Sequence, residues 1–105
     1  MPVTIYQEKQ TGEVEIVPRL IPAAGEDVFT ADIEVTELHL VNSSGSAVTV
    51  TVTDKQGTPL PLVAGVSIAA NADHLRQFRG RLCPGGLHWS ASVDAVVTGA
   101  VRGRQ

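Results

Sequence analysis

The sequence predicts an all-β chain folded as a single antiparallel β-sandwich, jelly-roll-like or Ig-like, with about seven or eight short strands. Three observations predict it. Apolar and polar residues alternate at period two in several runs, as in strands with one face on a core and one in water. Turn-forming clusters separate those runs at spacings of roughly 8–12 residues, the rhythm of sandwiches and barrels. No run alternates strand and helix in the manner of a parallel sheet.

The alternation is clearest in residues 47–53, Ala-Val-Thr-Val-Thr-Val-Thr. Val48, Val50 and Val52 face one way there, and Thr49, Thr51 and Thr53 the other. In residues 87–93, Leu87, Trp89, Ala91 and Val93 face in and His88, Ser90 and Ser92 face out. Leu38 and Leu40 share a face opposite His39 and Val41. Asn42-Ser43-Ser44-Gly45-Ser46 is expected to close a hairpin between the Leu38 and Val48 runs. Asp54-Lys55-Gln56-Gly57-Thr58-Pro59 closes the next, and Cys83-Pro84-Gly85-Gly86 precedes the Trp89 run. Ser92-Val93-Asp94-Ala95 turns into a last strand over 96–102. Phe29, Ala31, Ile33 and Val35 form one face of a strand over 28–35. Their parity does not match that of Leu38, so a bulge is expected near Thr36-Glu37. Val14, Ile16 and Leu20-Ile21 suggest a strand that Pro18 demotes to an edge or a bulged position. Residues 69–77 are the one stretch that could be a helix. A polar loop leading into a strand near Leu75–Phe78 fits them equally well.

The chain has 105 residues, enough for one core and too few for two. It is expected to be a single domain over 1–105. Aromatic residues are only 4%, so Val, Leu, Ile and Ala must build that core. The single cysteine, Cys83, excludes an intramolecular disulfide and a thiolate zinc cluster. The N-terminus lacks the basic start and apolar stretch of a signal peptide, so synthesis in the cytoplasm is expected. No run approaches the roughly 18 apolar residues of a membrane helix, so no membrane partner is expected.

Charge is unevenly spread along the chain. Residues 1–37 hold eight acids and two bases, and residues 38–105 hold three acids and six bases. A scattered solvated surface accounts for this separation; the sharper reading is head-to-tail or side-by-side contact between copies, with Arg76, Arg79, Arg81, Arg102 and Arg104 meeting Glu13, Glu15, Glu26 and Asp27. The acidic balance and the lack of basic–aromatic interleaving argue against nucleic acid.

Candidate chemistry is sparse. His39 and His88 both fall on outward parities, and His74 lies in a loop; were their strands neighbours, the three could hold a metal. Their spacing does not bring them together locally, so surface histidines are the expectation. Cys83 has His88 five residues on as a conceivable base, without any known protease signature. Asp54, Asp73, Asp94 and Glu37 lie near strand ends with no spacing that pairs them. Trp89 shares the parity of Leu87 and is expected in the core. No cofactor is expected, and the chain is read as non-enzymatic.

Two runs carry a resemblance. One is Glu37-Leu38-His39-Leu40-Val41-Asn42-Ser43-Ser44-Gly45-Ser46-Ala47-Val48-Thr49-Val50-Thr51-Val52. The other is Pro84-Gly85-Gly86-Leu87-His88-Trp89-Ser90-Ala91-Ser92, followed by Val97-Thr98-Gly99-Ala100-Val101-Arg102-Gly103. From Ala23 to Gly103 the chain resembles small β-sandwich virion modules of tailed bacteriophages and prophages. It departs in lacking the acidic residue often found beside Gly85-Gly86. The resemblance implies a structural part of a particle: a head decoration, head–tail or tail-associated protein. It also implies a homo-oligomer that contacts other virion proteins and resides in the virion. Residues 1–22 lie outside the match and are expected as a peripheral arm or edge strand. The rival readings are a carbohydrate-binding or adhesion module, which needs an exposed aromatic platform, and a small enzyme or metal protein built on the histidines and Cys83.

Overall fold

A computed structural model describes residues 6–8 and 13–105. Among these residues there are nine strands, β1 (Tyr6–Glu8), β2 (Glu13–Leu20), β3 (Glu26–Phe29), β4 (Ile33–Asn42), β5 (Val48–Asp54), β6 (Pro61–Ile68), β7 (Asp73–Cys83), β8 (Leu87–Ala91) and β9 (Val97–Arg104). They form a five-stranded sheet ordered β1-β2-β9-β4-β7 and a four-stranded sheet ordered β3-β8-β5-β6. Every pairing is antiparallel. The partners nest, β2 with β9, β3 with β8, β4 with β7, and β5 with β6. Nested pairs alternating between two sheets make a jelly roll. Of the two architectures the sequence left open, the jelly roll is the one adopted.

The alternating runs are strands because their apolar parity fills the space between the sheets. Val48, Val50 and Val52 of β5 and Leu87, Trp89 and Ala91 of β8 are buried from one side. Val35, Leu38 and Leu40 of β4, with Val97 and Val101 of β9, are buried from the other. Trp89 is fully buried and spans this layer. A Cβ added to Gly99 of β9 would lie 2.6 Å from Cζ3 of the Trp89 ring, so only glycine fits beneath it. The indole Nε1–H donates to Glu26 Oε1 at 3.0 Å. Arg19 holds that carboxylate in turn, with Nη2 donating to Oε2 at 2.9 Å.

The expected bulge falls in β4, where both of its ladders shift register between Val35 and Glu37. Pro18, which has no N–H to donate, coincides with a second shift between Ile16 and Arg19. Four expectations change. Residues 28–35 are two strands, β3 and β4, broken at 30–32 where the chain crosses between sheets. Val93 is 45% exposed, because the chain has already turned at 92–95. Residues 73–77 belong to β7, which extends back from Phe78 and leaves only a short turn before it. Residues 13–20 are not peripheral: β2 lies between β1 and β9, with Val14 and Ile16 in the core.

Asp54, read as an ordinary turn residue, is buried at the end of β5. Its Oδ1 accepts from the backbone N–H of Leu60 at 3.0 Å, and its Oδ2 from Gln56 Nε2 at 2.6 Å. Burial pushes its pKa up, but the hydrogen bonds from Leu60 and Gln56, with the nearby charge of Arg81, outweigh burial and hold it below the usual carboxylate value. A carboxylate with a depressed folded pKa contributes stability above its unfolded pKa and loses it as pH falls through the folded value. Urea midpoints taken below about pH 4 should therefore fall less steeply in Asp54→Asn than in the wild type. Equal slopes would show that this carboxylate does not couple to folding.

Candidate functional site

The outer face of the five-stranded sheet collects most of the charge. Register sets Arg104 of β9 between Glu13 of β2 and Glu34 of β4. It likewise sets Arg102 between Glu15 and Glu37. Four glutamates thus flank two arginines, a surplus of negative charge among the described residues of this face. Arg102 Nη2 lies 3.9 Å from Glu15 Oε1, an exposed and weak contact. The face is hollowed over β9. One depression of about 290 Å³ is lined by Glu13, Glu15, Thr36, Glu37, Arg102 and Arg104. It adjoins another of about 200 Å³ over Pro18, His39 and Ala100. Beyond it, His39 Nε2 lies 3.0 Å from Asp73 Oδ2.

The second charged surface is the edge strand β7. Its inner parity is given by Leu38↔Arg76 and Val35↔Arg81, so these arginines share a face with core residues but lie at the open margin. Inward-pointing charge at an edge opposes strand addition. Arg76 stands 5.5 Å from the Phe78 ring centroid, and Arg81 Nη2 donates to the Pro61 carbonyl of β6 at 3.4 Å. Gly80, at φ +87°, lies where the β4–β7 register shifts. Among the described residues Arg76, Arg79 and Arg81 make no ion pair. Leu75 and Leu82, on the outward parity of the same strand, are 53% and 59% exposed.

A third cluster lies on the outer face of the four-stranded sheet. Lys55 Nζ donates to Asp27 Oδ2 at 2.6 Å, and His88 Nδ1–H donates to Asp27 Oδ1 at 2.9 Å. These two bonds, Lys55 first, hold Asp27 below its usual pKa. The cluster fastens β3 to β8 and to the turn after β5. On its other side the His88 ring packs against Gly25, where an added Cβ would lie 2.6 Å from Nε2.

The expected acid–base sets are thus largely met within one molecule. Glu13 and Glu15 face Arg104 and Arg102 across a ladder, because the nested topology pairs the acidic strand near the N-terminus with the basic last strand. Glu26 is held by Arg19, and Asp27 by Lys55 and His88. Arg76, Arg79 and Arg81 remain.

The three histidines do not converge. His39 lies on the outer face of one sheet and His88 on the outer face of the other, while His74 takes the inner parity of β7 opposite Leu40. The strands of His39 and His88 lie in different sheets, so the condition under which the histidines could hold a metal is not met. Among the described residues no group of three His, Cys, Asp or Glu could hold a metal ion. Cys83 is buried, and burial pushes its thiol up to about 11, far from a reactive thiolate. Of the other acids, Asp94 Oδ1 accepts from the Ala23 N–H at 3.0 Å, and Asp73 faces His39. Sequence reasoning missed the buried polar anchors, Asn42 and Asp54; the turn composition around each was visible, but not its burial.

No protein-family pattern matches the chain, and no curated protein matches it. Among the solved structures to which the chain is similar are the following two. A chain of the IBDV viral particle is 12% identical, with a TM-score of 0.43 over 95% of this chain and 28% of that one. FeII HppE is 9% identical, with a TM-score of 0.38 over 90% of this chain and 44% of that one. The chain therefore spans less than half the length of either.

Proposed function

We propose that this chain is a non-enzymatic structural protein of a phage or prophage particle, working by self-association and by contact with other virion proteins. The observation that carries the reading is the long open edge β7, whose three arginines make no ion pair among the described residues, although Arg81 lies near enough to Asp54 to favour its charged form. A protein that works by surface contact needs such an unsatisfied surface on a rigid block, and a jelly roll is a rigid block. The resemblance of residues 23–103 to virion modules supports the particle assignment. The carbohydrate-binding reading has less support: Phe29 and Trp89 are buried and Phe78 is half-buried, which leaves none of these three to form a platform.

Size-exclusion chromatography with light scattering at low and high salt tests self-association. An oligomer that weakens with salt is expected, and a monomer at high concentration overturns it. The particle assignment predicts that the chain sediments with intact particles after induction of a lysogen carrying its gene. Recovery in the soluble fraction alone overturns that part.

A further inference from the structure

We infer that the β7 edge of one copy docks onto the hollowed outer face of the five-stranded sheet of a second copy, its arginines pairing with the surplus glutamates there. This rests on the self-association proposed above and names the two surfaces that meet.

Charge is left over on both surfaces. Among the described residues Arg76, Arg79 and Arg81 lie on one edge strand without an ion pair, and Arg81 is near an acid, Asp54. On the outer face Glu13, Glu34 and Glu37 also make no ion pair among the described residues, and only two arginines are interleaved with the four glutamates. Within one molecule the Glu34 carboxyl packs over Gly80 of β7, but no ion pair joins it to Arg79 or Arg81 among the described residues. Glu37 sits opposite Gln77 in the register, in the same sheet as Arg79, and yet no ion pair forms between them. Two β7 edges would not satisfy each other either. Like charges would face one another, and the irregularity at Gly80 interrupts a straight ladder. A face with negative surplus is the complementary surface, and this chain carries one that is already concave over Glu15, Glu37 and Arg102. Leu75 and Leu82 stand on the opposite, outward parity of the strand from Arg76 and Arg81, so they take no part in this contact. Edge to face is a heterologous contact, so the assembly closes as a ring or grows as a filament.

The test uses two full-length variants. The edge variant carries Arg76→Gln, Arg79→Gln and Arg81→Gln; the face variant carries Glu13→Gln, Glu34→Gln and Glu37→Gln. All six side chains are at or near the surface, and circular dichroism checks that both variants fold. Light scattering at low salt should find the wild type oligomeric and each variant alone monomeric. An equimolar mixture should give a one-to-one dimer that grows no further, because one partner lacks the edge and the other the face. The milder Arg79→Gln and Glu37→Gln should each weaken wild-type assembly by roughly tenfold. Wild-type oligomers with both variants still assembling would overturn this geometry and leave self-association standing. A mixture that stays monomeric would also overturn the geometry. A monomeric wild type would overturn both proposals.

Discussion

Trp89→Ala should lower the unfolding free energy by about 3–5 kcal/mol, a large part of the roughly 5–15 kcal/mol that holds a domain of this kind together. The corresponding fall in Tm is on the order of 10–20 °C. The side chain is fully buried between the sheets, and no neighbour can collapse into its place without moving β9. Its loss also leaves Glu26, held by Arg19, beside a void where the indole N–H had been. Trp89→Phe keeps part of the ring and should fall between wild type and alanine. The contact with Gly99 supplies a sharper check. Gly99→Ala alone should cost about 1–3 kcal/mol, since its methyl would meet the ring. In the Trp89→Ala background the same substitution should cost much less, because the methyl then enters the cavity. Urea unfolding followed by circular dichroism measures all four proteins. Additive losses would mean that the ring does not lie over β9.

The parts of this fold legible in the sequence are those that depend on side-chain parity. The Val/Thr alternation of β5, the Leu-x-Trp-x-Ala pattern of β8 and the parity break at Thr36 were each visible, because one buried face imposes period two. β7 was not legible. As an edge strand with few buried residues it has no apolar parity to show, and its start at Asp73 looked like a loop or short helix. Nor was the nesting legible, since alternation gives the face of a residue and not the neighbour of a strand. That gap decided the site. The segregation of charge between the two ends of the chain was plain, yet β2 pairs with β9, so much of it is resolved inside the molecule. Only the arginines of β7, far in the sheet from β2, escape that pairing.

Asn42→Asp should be severely destabilising near neutral pH, and the defect should shrink on acidification. Asn42 is fully buried at the end of β4. Its Nδ2 donates to the carbonyls of Ser46 at 2.8 Å, Ile68 at 3.0 Å and Ala69 at 3.2 Å, while Oδ1 accepts from the N–H and hydroxyl of Ser44. One amide thus ties the β4–β5 turn to the end of β6. Asn42→Ala strands these groups and should cost about 2–4 kcal/mol. Asn42→Asp keeps the shape but turns an acceptor toward the three carbonyls. The new carboxyl can donate there only when protonated, so its folded pKa must rise above the unfolded value of about 3.9. For a group raised in this way, the folded state binds more protons than the unfolded state between the two pKa values. Stability relative to the wild type is therefore recovered as pH falls through that window. This slope is opposite in sign to that expected from Asp54 and Asp27, whose pKa values are lowered. Urea midpoints of wild type and Asn42→Asp, compared at about pH 7 and about pH 4.5, should therefore converge. A gap that stays constant or widens would show that donation by Nδ2 is not what holds this end of the sandwich closed.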